Sequence, residues 1–206
     1  MLSVSRRQVI RGLAAGVVCM AGGARAALVP TPDEGPGPFY PETIPLDHDA
    51  DLVQVAGRAG MAQGEIVNLF GRVLTLSGEP VPGALVEIWQ CDYRGRYKHA
   101  AEWRAAADPN FQGYGTTKST GSGSYRFRTI KPVRYTGRTP HIHAMISGPG
   151  IKRFTTQIYL KGHPQNAEDY LFKGLGDQAK QDAASVLFRP RSGDGAADGR
   201  FDFVIG

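Results

Sequence analysis

The stretch TPHIHAM, residues 139–145, sets His141 and His143 one residue apart on an otherwise apolar run. The chain has only five histidines, and random placement would give about 0.1 such pairs, so the spacing asks for a reason. If the run continues as a strand, side chains two apart share a face and both imidazoles point the same way. Two imidazoles on one face make half of a metal site, and the other half has to come from elsewhere. His48, His99 and His163 stand in turn-like contexts and read as loop residues rather than ligands. An iron(II) site of two histidines and one carboxylate usually carries its acid near the first histidine, and the residues around PHIHAM are neutral. Tyrosine is the less obvious donor. A phenolate is a hard anionic oxygen suited to iron(III), and a trivalent metal would deprotonate it far below its ordinary pKa of about 10. Tyr135 lies six residues before His141, and Tyr97 ends the turn that follows VEIWQ.

The elements that must position these residues are short. The chain holds 27 glycines and 14 prolines, and they fall between apolar runs of strand length. Strands are expected at IVNLFGRVLT (66–75), ALVEIWQ (84–90), GSYRFRTI (123–130), HIHAMIS (141–147), RFTTQIYL (153–160) and RFDFVI (200–205). The stretch GDQAKQDAASVL (176–187) reads as a short helix at the edge. Residues 27–60 are rich in proline, glycine and aspartate without periodicity, and are expected to wrap the surface as an extended arm. The pattern predicts an all-β fold: a β-sandwich of mostly antiparallel strands with long connecting loops, in one domain over 61–206.

Residues 1–26 read as an export signal rather than as part of that domain. A twin arginine (Arg6, Arg7) precedes an apolar run too short to span a bilayer, and a small-x-small site closes it at Ala24–Ala26. The twin arginine implies the route that carries folded proteins to the periplasm or beyond, with no stable membrane anchor afterwards. Four of the 24 basic residues and none of the 19 acidic ones lie in this segment, which leaves 20 against 19, a net of +1. The apparent basicity belongs to the signal, so nothing asks for a nucleic-acid partner. Only Cys91 remains after removal of residue Cys19, which excludes an internal disulfide and argues against thiolate ligation of a metal.

Taken in order, GALVEIWQCDYRGRY, DPNFQGYGTT, GSYRFRTIKPVRY, RTPHIH and TTQIYLKGHP resemble the intradiol ring-cleavage dioxygenases, closest to the iron-binding (beta) subunits of the protocatechuate 3,4-dioxygenases. TPDEGPGPFYP (31–41) resembles that family's opening motif, and the likeness covers residues 31–206. Each piece alone is weak; the ordered set is specific. The resemblance implies an iron(III) centre held by Tyr97, Tyr135, His141 and His143, with Arg138 beside the substrate ring and Gln157 in the same pocket. It implies further that a catechol-type substrate chelates the iron while Tyr135 leaves, that Arg138 stabilises negative charge developing on the ring, and that O2 cleaves the ring to a muconate-type diacid. Gln157 and Tyr40 would orient substrate or oxygen. Only five residues separate Tyr135 from His141, a shorter loop than the well-known members have, which predicts a more open site. A homo-oligomer is compatible with this reading. Two alternatives stay open at the level of sequence. One is a secreted β-sandwich module that binds a carbohydrate or aromatic ligand without catalysis; the other is an iron(II) or copper oxygenase using the histidine pair with a different ligand.

Overall fold

The computed structural model describes residues 27–102, 105–190 and 195–206; the expected export signal over 1–26 lies outside them. In chain order the strands are β1 (Ile66–Thr75), β2 (Leu85–Trp89), β3 (Tyr114–Lys118), β4 (Ser124–Ile130), β5 (His141–Gly148) and β6 (Ile151–Leu160). A 3-10 turn (Pro164–Ala167) and two short helices, α1 (Tyr170–Gly174) and α2 (Gln178–Ala183), follow. The chain ends with β7 (Ser185–Val186), β8 (Phe188–Arg189), β9 (Ala197–Arg200) and β10 (Phe203–Ile205). No helix among the described residues is long and apolar enough to cross a membrane.

Two sheets form the sandwich. In one, β1 pairs antiparallel with β4 and parallel with β9 and β10, and β8 adds to β9. The other runs β3-β2-β5-β6-β7, antiparallel except for the last pair. β4 shows how sequence sets the layer: Tyr125, Phe127 and Thr129 turn inward while Arg126 points to solvent, the period-two pattern of a half-buried strand. β5 differs, because it is buried on both faces. Ile142, Ala144 and Ile146 join Val86, Ile88 and Ile158 in the main core between the sheets. His141, His143 and Met145 point to the opposite face, which loops and the N-terminal arm cover.

Three expectations need adjustment. RFDFVI is not one strand: the chain breaks at Phe201 and Asp202, where the Phe201 carbonyl lies so close to Gly71 that a Cβ there would sit 1.7 Å from it. Asp202 Oδ1 then takes the Arg72 N–H at 2.9 Å in place of a ladder partner. The helix over 176–187 shrinks to Gln178–Ala183, capped by Asp177, because Ser185 and Val186 are drawn into pairing with β6. The arm also does more than wrap the surface. Leu52 and Val53 are fully buried in the main core, while further upstream Thr31 and Glu34 bond to the backbones of Val204 and Thr155.

Candidate metal centre and substrate cleft

Register alone builds the floor of the site. Tyr114, Trp89, His143 and Gln157 stand side by side on four neighbouring strands, and His141 pairs with Tyr159 in the adjoining row. Side chains opposite one another share a face, so the two imidazoles rise from a floor of Trp89, Gln157 and Tyr159. Trp89 stacks flat on His143, with centroids 4.9 Å apart and planes 5° from parallel. The Thr139 carbonyl lies 2.7 Å from His141 Nδ1 and fixes that ring, leaving its Nε2 3.2 Å from Nε2 of His143.

Two loops bring the tyrosines over this floor. The first is a tight turn organised by the buried Asp92, whose carboxylate accepts from the N–H groups of Arg94, Arg96 and Asp108. Gly95 occupies the left-handed region (φ +74°) in that turn, where a Cβ would sit 2.6 Å from the Arg134 carbonyl. Tyr97 follows directly. Tyr135 opens the second turn, closed by the Arg138 N–H donating to the Tyr135 carbonyl at 2.8 Å. The phenol rings meet edge to face at 5.2 Å; Tyr135 is 5.5 Å from the His141 ring and Tyr97 6.2 Å from the His143 ring. Phe39 of the arm stacks on Tyr97 at 4.2 Å and closes the group from above.

Burial sets the proton states. It lowers the pKa of His141 to about 4, aided by the charge of Arg138, and holds His143 well below the ordinary value, with His141 adding to the effect. Both imidazoles are therefore neutral, with lone pairs to give. Burial also pushes both phenols up; for Tyr135 the neighbouring Arg138 works against the rise. The Tyr97 hydroxyl and His143 Nδ1 are buried without a hydrogen-bond partner of sound geometry, although Tyr135 lies close enough to Tyr97 to raise its pKa further. Such orphans are rare in folded proteins and mark places where something beyond packing is at stake.

Arg138 reaches across the mouth. Its Nε donates to Asp169 Oδ2 at 2.8 Å, its Nη2 to Gln157 Oε1 at 2.6 Å, and its guanidinium lies 5.7 Å from the Tyr170 ring centre. A cleft of about 430 Å³ opens here, lined by Gly37, Phe39, Tyr135, Arg138, His143 and Tyr170 among others. A second hollow of about 480 Å³ lies across the Tyr135–Arg138 turn, between Arg94, Arg134 and Glu168. Thr136 and Gly137 of the short loop are exposed and line the rim of the cleft.

Six of the seven residues singled out from the sequence (Tyr97, Tyr135, Arg138, His141, His143 and Gln157) gather in this one region. Tyr40 does not join them. Its hydroxyl donates to Glu87 Oε1 at 2.8 Å and its ring packs edge-on against Trp89, because the buried Glu87 carboxylate needs donors and takes them from Tyr40 and Tyr114. The other histidines are loop residues: His48 bonds the Pro45 carbonyl, His99 accepts from the Ala101 N–H, and His163 caps the 3-10 turn. Among the described residues no three of His, Cys, Asp or Glu converge, so a metal at the histidine pair would need the tyrosines. Sequence reasoning missed Trp89, Phe39, Asp169, Tyr170 and Glu34. Asp169 left a local signal, an aspartate before the apolar YLF run that reads as a helix cap, whereas Glu34, Phe39 and Trp89 stood inside the quoted motifs with nothing to mark them singly.

Comparison with known proteins agrees with this geometry. A family described as Dioxygenase matches residues 36–206. The chain is 38% identical over 171 residues to the protocatechuate 3,4-dioxygenase beta chain of Burkholderia cepacia, covering 78% of this chain and 72% of that one. It is 33% identical over 192 residues to 6-chlorohydroxyquinol 1,2-dioxygenase of Cupriavidus pinatubonensis, covering 82% of this chain and 62% of that one, so it spans less than two thirds of that enzyme. Among solved structures, the dioxygenase domain of a dioxygenase and carbohydrate-binding protein fusion from Streptomyces sp. SirexAA-E is 31% identical and superposes with a TM-score of 0.64 over 86% of this chain and 98% of that one. With its sandwich, its cluster of two phenols and two imidazoles, and these relatives, the chain belongs to the family of intradiol ring-cleavage dioxygenases.

Proposed function

We propose that this chain is a non-haem iron(III) intradiol dioxygenase that cleaves a catechol-type ring between its two hydroxyl-bearing carbons with O2, giving a muconate-type diacid. One observation carries the reading: two buried phenols and two neutral imidazoles converge, with the Nε2 atoms of His141 and His143 turned to each other and the Tyr97 hydroxyl held only against Tyr135. The donor set fits a hard trivalent cation. The imidazole nitrogens are 3.2 Å apart, a distance two nitrogens can span when each lies about 2.1 Å from one metal. The phenols, held protonated by burial, would exchange their protons for the metal charge.

Tyr97, Tyr135, His141 and His143 would hold the iron. Bound iron(III) would draw electron density from a chelated catechol and so let its ring react with dioxygen, which a closed-shell aromatic does only slowly. The residues then divide the work. Tyr135 lines the open cleft and is the phenol able to take a substrate proton and give way, whereas Tyr97 is clamped beneath Phe39. Arg138 sits at the mouth with its charge fixed by Asp169, where it stabilises negative charge developing on the ring. Gln157 orients Arg138, and Phe39 and Tyr170 bound the space for the ring. The open side beyond Thr136 and Gly137 suits catechols that carry a substituent.

Purified protein should contain iron and show a purple-red tyrosinate-to-iron(III) absorption, lost or strongly shifted in Tyr97→Phe. Oxygen uptake with 4-substituted catechols should give an intradiol product by mass. A colourless iron-free protein, or an extradiol product, would sink the assignment in favour of a binding module or another oxygenase. Export by the twin-arginine route belongs to the same proposal, supported by Arg6, Arg7 and the Ala24–Ala26 site. N-terminal sequencing of exported protein should start at residue 27 or 28, and a retained leader would count against it.

A further inference from the structure

Glu34 belongs to the arm, yet its side chain points at the cleft from behind. Its N–H donates to the Thr155 carbonyl at 2.6 Å, and Asp33 Oδ1 accepts from the Thr155 N–H at 3.2 Å, so the arm is pinned along β6. The Glu34 carboxylate then accepts from the Tyr159 hydroxyl (2.7 Å), the Gln157 N–H (3.2 Å) and the Gln157 side-chain nitrogen (3.4 Å). The other end of the same Gln157 amide accepts from Arg138.

We infer that Glu34 is a positioning residue: it locks the Gln157 amide so that its oxygen meets the Arg138 guanidinium. The inference rests on the dioxygenase reading for its consequence, though not for its geometry. A glutamine amide can face either way, with an acceptor at one end and two donors at the other. Arg138 offers only donors and an ionised Glu34 only acceptors, so between them a single orientation satisfies both. Lose the acceptor behind Gln157 and the amide is free to turn, setting donor against donor at the guanidinium. Arg138 then keeps Asp169 but loses the contact that aims its Nη2 at the cleft.

The lock depends on the charge of Glu34. Burial raises its pKa to about 7, against the opposing pull of the Tyr159 and Gln157 hydrogen bonds and of Arg138. The titratable and charged groups facing it are Tyr159 from β6, Arg138 from the turn before β5, and Asp169 at the cap of α1. Once protonated, Glu34 needs an acceptor for its own hydrogen, and the Gln157 oxygen supplies it by turning away from Arg138. The lock is therefore closed above about pH 7 and opens as pH falls through that value.

Steady-state kinetics of the iron-loaded protein with a 4-substituted catechol test this. Glu34→Ala should lower kcat about tenfold while KM changes less than about threefold, the pattern of misaimed rather than missing groups. Iron content and the visible band should stay as in the wild type. Glu34→Gln, neutral at every pH and carrying donor hydrogens like the protonated acid, should hold kcat near the low-pH level of the wild type and flatten the acidic limb near pH 7. Tyr159→Phe removes a donor to the carboxylate, so the limb should move to higher pH; this mild variant carries the test if Glu34→Ala does not fold. A further readout is independent of turnover. In 15N NMR spectra of protein loaded with diamagnetic gallium(III), the Gln157 side-chain NH2 should titrate near pH 7 in the wild type and stay still in Glu34→Gln. Wild-type kinetics in Glu34→Ala, or an NH2 signal that ignores pH, would overturn the lock. A wild type without turnover whose NH2 titrates would instead overturn the dioxygenase reading and leave the lock standing.

Discussion

At the scale of single residues, the site depends on groups that face two ways. Arg138 is the clearest case. Its planar fork joins Asp169 through Nε and Gln157 through Nη2, with the Tyr170 ring beside it, and its side chain is only 10% exposed. A lysine carries the same charge on a point-like ammonium and cannot make both contacts in one geometry. Arg138→Lys should therefore lower kcat by a factor on the order of 100 to 1,000, the cost of losing a preorganised donor at developing negative charge. Iron content and the visible spectrum should not change, because Arg138 holds no metal in this reading. Steady-state kinetics beside metal analysis would check it, and kcat within about threefold of wild type would remove Arg138 from the reacting charge. Asp169 ties this residue to its surroundings. It accepts from Arg138 Nε, from the Thr139 N–H and from the N–H groups of Leu171 and Phe172, so one buried carboxylate fixes the guanidinium, the entry to β5 and the start of α1 together.

At the scale of elements, what could be read from the sequence was what is local. The histidine pair needs only the strand period to share a face, and β1 was expected over 66–75 and occurs there. The clearest runs, β1, β2, β4, β5 and β6, are rich in branched or aromatic residues, so propensity and burial point the same way. β3, YGTTK, was not read because it carries no aliphatic residue to pack; pairing with β2 makes it a strand. β7 and β8, two residues each, are likewise products of their neighbours. The metal cluster was legible only through the ordered motifs, since nothing local about Tyr97 or Tyr135 marks a ligand. Glu34 and Gln157 touch across 123 residues of chain, and no periodicity carries such a contact. Tyr40 shows the converse, a residue whose motif suggested the cleft but whose hydroxyl is claimed by the buried Glu87.

At the scale of the molecule, the cluster is a further tie between parts already joined by packing and by a few hydrogen bonds, among them Gln90 to the Ile130 carbonyl and Tyr40 to Glu87. Tyr97 comes from the loop after β2, Tyr135 from the loop after β4 and the imidazoles from β5, with Phe39 of the arm laid over Tyr97. Without a metal, this corner places a raised phenol, two desolvated imidazoles and unpartnered polar atoms side by side, an arrangement that costs stability. A ligand that binds only the folded chain stabilises it by about 2.7 kcal/mol at a hundred times its Kd. For a chain of this length each kcal/mol shifts Tm by roughly 2–4 °C. Iron removal by a chelator should then lower Tm by about 5–10 °C, and restoring iron(III) should recover it. In Tyr97→Phe and His143→Ala the gap between loaded and stripped protein should shrink towards zero, even where the stripped variants are themselves no less stable than stripped wild type. Calorimetry of the six preparations, loaded and stripped, decides this. Equal Tm values for loaded and stripped wild type would mean that any bound iron sits elsewhere and that packing and hydrogen bonds hold this corner together without it.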